Sequence, residues 1–538
     1  MSYESNFTEK IYDNVHGFIY LTKEEKELLS TPYFQRLNHI RQLGLAYFVF
    51  PGAVHTRFSH SLGVLYIAEK MFQRLIKVGY ANNLSEIEIE KHHKILRIAA
   101  LLHDIGHYPL SHTLEASYKE CSYFMDSSKI NNSLQEEINE NISKDKDSIE
   151  KSSIAANFKA NMCSENINKL LYYFDKMKNI EDNKYHHEYF AEKVIHSKCF
   201  SNILKQQFDI TDDDINVICN IINGTNKKSE FFIISKIIKS NLDADQLDYM
   251  IRDTQNTGIN VNVDLDYIIN NMYLCKRKLN GKDRQVICYS SKALPAIEQF
   301  LLAKYYWYSN ILFYEKAYIA NYIARRIFSY LIIEKKLNNY MSMENLEKTI
   351  EKPEEFFFFN DTFFWNQIKD IVSSPKQYSD IIVKLSKLLV NRKFPLLLDE
   401  TTFNNIKKER GLPKEIQFQP SINLKKALKE KIQTFKTAFI EDDYIVPIPI
   451  EKNIIKISKN DEIGENKSYE KSSNDLSEED QELIFLANED INITFDKKRC
   501  TQIANNNQNQ FLDLFYSKRT PKYLHMFRLY DFSNCLID

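Results

Sequence analysis

Apolar residues recur at three- and four-residue steps through most of the first 340 positions, the spacing of one buried face on a helix. "LGVLYIAEKMFQRLIKVGY" from Leu62 and "HHKILRIAALLHDIGH" from His92 predict two such helices, with Pro109 stopping the second. "HHEYFAEKVI" predicts another, and "SEFFIISKIIKSNLDADQLDYMIRDTQ" from Ser229 predicts a single long one. Ala293 to about Leu337 reads as a further aromatic-rich helical stretch broken once. "RQVICYS" at Arg284 to Ser290 alternates like a short strand, with "NGKD" as the turn before it.

Two stretches lose this patterning. The segment from about 117 to 185 is mostly polar and reads as an insertion; a second, about 459–480, reads as a linker after the strand-like "DDYIVPIPIEKNIIKIS". We therefore expect a mainly α chain: a helical core over 1–337 and a region over 338–538 mixing helices with short strands. A chain of 538 residues is long for one domain. "KRTPKYLHMFR" near the end reads as a solvated basic face.

The 71 basic and 73 acidic residues nearly cancel, so any anion site has to be local. The eight cysteines form no CxxC pair, which argues against a zinc ribbon and for reduced, buried thiols in a cytoplasmic protein. The N-terminal "MSYESNFTEK" lacks the apolar core of a secretory leader. No run approaches the roughly 20 apolar residues that span a bilayer, so no membrane partner is expected. "FFFF" at Phe356–Phe359 reads as a core cluster. "GTNKKS" at Gly224 has the wrong spacing for a phosphate loop and reads as a turn.

Candidate chemistry concentrates in "LLHDIGHYPLSHTLE", Leu101–Glu115, and six of the eleven glycines lie in the first 106 residues, up to Gly106. His103 and Asp104 offer imidazole and carboxylate, good ligands for first-row divalent ions. Adjacent helical residues point about 100° apart, so the pair grips an ion only within a wider cage. His107 falls one turn on, and Pro109 lets His112 and Glu115 return towards the cleft. His60 opens "SHSLGVLY" just after Arg57; Asp243, Asp245 and Asp248 lie in "NLDADQLDYMIRD". Three acids in an otherwise apolar helix are costly unless solvated, paired or bound to metal.

These three motifs, in this order, resemble those of the HD-domain phosphohydrolases. "DNVHGFIYL", "TPYFQRLNHIRQLGLAYFVFPGAVHTRFSHSLGV", "HHEYF" and "LDADQLDYMIRD" narrow the likeness, over roughly residues 8–330, to the deoxynucleoside triphosphate triphosphohydrolases of the SAMHD type. The resemblance implies an HD-domain helical core. It implies a divalent ion (magnesium, manganese, iron or zinc) held by His60, His103, Asp104 and Asp245. It implies Arg57 on the triphosphate, His107 near the α-phosphate, and His112 and His187 as catalytic histidines, with Glu115 standing where the family carries aspartate. It places Gln42, Leu43, Tyr249 and Asp253 around the deoxyribose, with Tyr314 and Tyr318 nearer the base. The implied reaction is attack of metal-activated water on the α-phosphate, giving deoxynucleoside and inorganic triphosphate. A histidine outside the cage then protonates the leaving oxygen.

The family's phosphate-binding lysine is Gln246 here, and its activator-site acid and arginine are Ser30 and Asn38. Activation by a guanine nucleotide is thus not implied, and a different activator or none stays open. A homo-oligomer, dimer or tetramer, is implied by the likeness. His39, His55, His92, His93 and His196 read as ordinary core or surface histidines, and His16, in the turn-like "DNVHGF", reads as readily as a subunit or nucleotide contact as an ordinary histidine. Two alternatives remain: an HD phosphohydrolase or phosphodiesterase acting on another nucleotide or a nucleic-acid end, and a non-catalytic nucleotide sensor. A nucleic-acid binder would need a continuous basic face interleaved with aromatics, and only short basic patches occur. Control of deoxynucleotide pools and antiviral defence both fit.

Overall fold

The computed structural model describes residues 7–125, 185–225, 229–279, 282–337, 340, 342–403, 445–453, 485–487 and 523–532. It is mainly α, as expected. A short antiparallel hairpin, β1 (Glu9–Asp13) and β2 (Gly17–Leu21), precedes α1 (Lys23–Leu29) and α2 (Pro32–Gln35). Then come α3 (Arg57–Lys77), α4 (Glu86–Leu102), α5 (His112–Met125), α6 (His187–His196), α7 (Lys198–Phe208), α8 (Asp212–Ile222), α9 (Phe232–Ile238), α10 (Ala244–Thr257) and α11 (Leu265–Asn270). The strands β3 (Met272–Leu279) and β4 (Lys282–Ser290) pair antiparallel, as the alternation of "RQVICYS" predicts. After them run α12 (Leu294–Trp307), a π-helical turn at Tyr308–Leu312, and α13 (Glu315–Ile333), the expected single break in the aromatic stretch.

Several helices of the core start where the sequence provides a cap. Ser85 and Glu88 form a reciprocal capping box ahead of α4, and Thr211 and Asp214 do so ahead of α8. Leu62, Leu65, Met71, Phe72 and Leu75 of α3 are buried at helical spacing and pack that helix onto α4 and α10. Gly63 sits where a Cβ would fall 1.9 Å from Asp248 Oδ1, so the missing side chain admits a carboxylate into the interface.

Two helices end earlier than the pattern predicts. α4 stops at Leu102, well before Pro109, because the chain closes a tight turn in which the Ile105 and His107 amides bond the Leu102 and Asp104 carbonyls. The long helix expected from Ser229 is two, α9 and α10, with Asp243 capping the second by accepting from the Gln246 amide at 2.8 Å. Asp243 is thereby a cap, and its neighbour Asp245 faces the site.

Beyond residue 338 lie α14 (Met343–Ile350), α15 (Pro353–Phe357), α16 (Asp361–Ser373) and α17 (Asp380–Asn391), then β5 (Leu396–Phe403), β6 (Ile445–Asn453), β7 (Phe485–Ala487) and β8 (Tyr523–Asp531). β8 is the middle strand of an antiparallel sheet ordered β5-β8-β6, and β7 adds parallel to β4. Of "KRTPKYLHMFR", expected as a solvated face, Arg528 is buried in β8, as is Tyr530 just beyond it; the exposure of 518–527 lies outside what is described. Helices on both sides of residue 338 share one core, with the Tyr33 hydroxyl donating to the Ile350 carbonyl. Of the "FFFF" run, Phe356 and Phe359 are buried and Phe358 is exposed.

Cys275 and Cys288, expected as reduced thiols, are joined as a disulfide. The β3–β4 register sets Tyr273 opposite Cys288 and Val286 opposite Cys275, so the two cysteines lie diagonally on one face. Among the described residues Cys121, Cys199 and Cys219 form no disulfide. Among the described residues no helix is long and apolar enough to cross a membrane. The remainder of the expected insertion, from 126 to 184, and the expected linker at about 459–480 lie outside the described residues.

Candidate metal centre and active site

α3, α4 and α10 bring His60, His103 and Asp245 to one buried point. His60 Nε2 lies 3.0 Å from Asp245 Oδ1 and 3.4 Å from His103 Nε2. The outer nitrogens are both committed: His60 Nδ1 bonds Asp248 at 2.7 Å and His103 Nδ1 bonds the Ala100 carbonyl at 2.8 Å. Carboxylate and carbonyl oxygens only accept, so each ring donates from Nδ1 and turns its Nε2 lone pair inwards. Two lone pairs and a carboxylate oxygen then converge, an arrangement that demands positive charge at its centre. Burial opposes a proton on His60, yet its bonds to Asp245 and Asp248 push its pKa up to about 10. A divalent ion would supply that charge instead, and the nitrogen–oxygen donor set suits one.

Asp104 adjoins this group. Its Oδ2 lies 3.7 Å from His60 Nε2 and its Oδ1 3.4 Å from His103 Nε2. Arg57 pairs with Oδ2 at 2.7 Å and also bonds the Ser111 hydroxyl and the Gln42 carbonyl. Burial works against the Asp104 charge, but Arg57, His103 and His107 hold its carboxyl well below the ordinary range. The carboxylate is thus charged and shared between the two inward-facing imidazoles and Arg57.

A second cluster, His107, His112, Glu115 and His187, borders the first. His107 is fully buried, 3.1 Å from Asp104 Oδ1, and stacks on His187 with ring centres 4.1 Å apart. It reaches this place from the turn after α4, not from a continuing helical face. Burial and the nearby Arg57 keep His107 neutral, well below the usual imidazole range. His187 is opposite in character. Burial opposes its charge, but Glu188 and Glu115, each 3.3 Å from Nδ1, raise it above the ordinary value. Glu115 also meets His112 at 2.9 Å and His186 at 3.2 Å, so the longer side chain at the family's aspartate position does reach its histidines. Between the adjacent pair, His187 faces His107 while His186 is turned to Lys119. The exposed ring of His112 lies at the rim.

Of the positions expected around the sugar, Gln42 meets Arg57 through its backbone carbonyl. Gln42 and Leu43 are buried, and the Gln42 side-chain oxygen has no protein partner. Both Asp253 oxygens are engaged by the protein, one with His55 at 2.7 Å and one accepting from the Trp307 indole at 2.9 Å, while Tyr249 packs at a tilt against Trp307. Tyr314 is half-exposed against Phe50, and Tyr318 packs on Phe313. Gln246 meets a cation all the same, since Lys304 Nζ lies 2.6 Å from its side-chain oxygen.

Four residues of this site are assigned no role by the sequence. Asp248 bridges His60, His16 and Arg252, so His16 belongs to the interior, where it also stacks on Tyr66. Glu188 braces His187 and is itself paired with Lys239 at 2.9 Å. Ser111 and His55 hold Arg57 and Asp253. Only Asp248 gave a signal, as the third acid of an apolar helix.

Gly106 fixes the distance between the two clusters. A Cβ there would fall 2.2 Å from the Ala191 amide nitrogen and 2.3 Å from the His187 carbonyl, so α6 lies directly on the turn backbone. Gly106→Ala must push α6, and His187 with it, away from His107. Overpacking of this kind costs about 1–3 kcal/mol of stability, and misplacement by about 1 Å costs on the order of 10²-fold in rate. Thermal unfolding and steady-state kinetics of the variant check both.

Residues 57–179 match the family model described as "HD domain". Over 108 residues, 20% of this chain, the sequence is 42% identical to the deoxynucleoside triphosphate triphosphohydrolase SAMHD1 of Bos taurus, covering 18% of that protein; the human protein matches at the same identity with 17% of its length covered. A longer match, 28% identity over 329 residues, is to an uncharacterised protein of Methanocaldococcus jannaschii, covering 61% of this chain and 51% of the relative. The chain thus spans about half the length of the first curated relatives it matches. The crystal structure of a hypothetical protein from Aquifex aeolicus superposes with a TM-score of 0.55 over 97% of this chain and 96% of the other, at 20% identity, and so shares the fold.

Proposed function

We propose that this chain, a protein with an HD domain, is a metal-dependent deoxynucleoside triphosphate triphosphohydrolase, releasing deoxynucleoside and inorganic triphosphate. One observation carries the reading: a donor set that demands central positive charge lies beside a neutral His107 and a charge-favouring His187. A phosphoester hydrolase needs both an electrophilic centre and an acid for the leaving oxygen. The local likeness to proteins named as deoxynucleoside triphosphate triphosphohydrolases supports the substrate class.

In this reading His60, His103, Asp104 and Asp245 hold the ion, which when bound supplies an activated water and neutralises phosphate charge. Arg57 forks onto phosphate oxygens, oriented by Asp104 and Ser111. Neutral His107 donates one hydrogen bond without adding charge. His187, held protonated by Glu115 and Glu188, gives its proton to the departing 5′ oxygen, with His112 at the rim as its relay partner through Glu115. Gln42 offers its unpartnered oxygen to a sugar hydroxyl; Leu43, Tyr249 and Asp253 close that side, and Tyr314 and Tyr318 flank the base. The chain works as a cytoplasmic homo-oligomer in this proposal. A guanine nucleotide activator is left out of it, because Ser30 and Asn38 are uncharged and the Asn38 amide is bound to Gln35.

Product analysis tests the reading. The purified protein, incubated with each deoxynucleoside triphosphate singly and in pairs with magnesium or manganese, is expected to release inorganic triphosphate. Pyrophosphate or monophosphate would move the activity to the other phosphohydrolase class. Nucleotide binding without any product would mark a sensor.

A further inference from the structure

We propose that Asp361 is a positioning residue of the active centre, holding the loop that carries Gln42 and Leu43 in register with the loop that carries Ser111 and His112. Asp361 opens α16, in the part of the chain where sequence offers no chemistry. One of its carboxylate oxygens accepts from the Leu110 amide at 2.7 Å, the other from the Arg41 amide at 3.0 Å. A single buried side chain thus ties together two segments about 70 residues apart, each one residue away from a position in the proposed site. Burial pushes its carboxyl up to about 6, while the two amide bonds and the charges of Arg41 and Arg36 pull the other way.

The loop on the Leu110 side needs such a brace. Leu110 and Ser111 are consecutive non-glycine residues with φ of 53° and 58°, a region costly for L side chains and kept only where the surroundings over-determine it. Ser111 receives Arg57, and Arg57 pairs with Asp104. A shift at Leu110 therefore travels through two hydrogen bonds to the metal-facing carboxylate. The Arg41 side connects through the Gln42 amide, which bonds the His55 carbonyl, to the residue that holds Asp253.

Arg36 completes the clamp. Its guanidinium donates to the Phe359 carbonyl at 2.7 Å and to the Ile105 and His107 carbonyls, both at 2.8 Å. Phe359 and Asp361, two residues apart, hence fasten both ends of the turn and loop from Ile105 to Leu110. The segment after residue 338 is, on this geometry, part of the active centre's frame.

The test compares Asp361→Asn with Glu351→Gln in the full chain. Glu351 is the surface control: it also accepts from two backbone amides, those of Lys198 and Cys199, but on the exposed start of α7, away from the site. Asp361→Asn turns an amide N–H against one of the two backbone donors. It is expected to lower kcat about 10- to 100-fold, leave KM within about threefold, keep the bound metal, and speed hydrogen exchange at residues 40–44 and 108–113. Glu351→Gln is expected to do none of these. A kcat for Asp361→Asn within twofold of wild type, or equal losses in the two variants, overturns the inference. The kinetic arm rests on the proposed phosphohydrolase activity. If the wild type turns over no nucleotide, that reading fails by itself, and the exchange arm decides: unchanged protection of both loops in Asp361→Asn overturns the positioning role. Should Asp361→Asn not fold, Asp361→Glu, which keeps the charge and moves the oxygens, is read by the same criteria.

Discussion

Replacing Asp104 with alanine is expected to abolish metal retention and turnover together. The carboxylate touches four groups of the site: Arg57, His60, His103 and His107. Its removal leaves the Arg57 guanidinium buried beside a cavity with no anion, and takes one negative charge from a centre whose remaining donors are two imidazoles and Asp245. Loss of the ion withdraws several kcal/mol of transition-state stabilisation, on the order of 10³-fold or more in rate. Metal analysis of the purified variant alongside kcat measures both effects. A fully active, metal-free Asp104→Ala protein would remove the basis of the proposed mechanism. Asp248→Asn provides a graded comparison. It keeps the shape next to His60 but exchanges an acceptor-only group for an amide, so the imidazole is less firmly held. Changes of that kind cost about 10- to 100-fold in metal affinity, and added metal should restore activity in this variant but not in Asp104→Ala.

What the sequence makes legible here follows from the range of the interactions involved. The helices of the core announce themselves through periodicity, since burying one face of α3 or α4 needs apolar residues at fixed steps. His60, His103, Asp104 and Asp245 stand out because ionisable groups in such helices need a partner. Their convergence within hydrogen-bonding distance is a property of how α3, α4 and α10 pack. Local backbone events are less legible. Nothing in "LLHDIGHYPL" distinguishes a helix running to Pro109 from one that closes a turn at Leu102, and the difference moves His107 off the helical face. The disulfide depends on strand register, which puts Cys275 and Cys288 on one face although thirteen residues separate them. Asp361 is the extreme case: its partners are backbone amides, which leave no side-chain signature at positions 41 and 110.

His187→Asn is expected to lower kcat about 10²- to 10³-fold on nucleotide substrates, the usual contribution of a positioned general acid, while bound metal stays at the wild-type level. His187 lies outside the group formed by His60, His103 and Asp245, so metal and acid functions separate in this variant. An aryl phosphodiester, such as a p-nitrophenyl ester, has a leaving group that departs without a proton and should lose far less. Equal losses on both substrates would show that His187 supports the site in some way other than proton donation. The pH profile supplies the sign. In the proposed mechanism the acid form of His187 is the active one, so kcat is expected to fall as pH rises through its pKa, which Glu188 and Glu115 hold above the ordinary imidazole value against the opposing effect of burial. Glu188→Gln removes the stronger of those two charges and leaves Lys239 without its partner carboxylate, adding repulsion towards a protonated ring. Both changes lower the His187 pKa, so the alkaline limb of kcat moves to lower pH while the maximal rate below that limb is largely kept. A limb that stays in place, or moves upward, would assign the proton to another group, with His112 at the rim as the one to replace next.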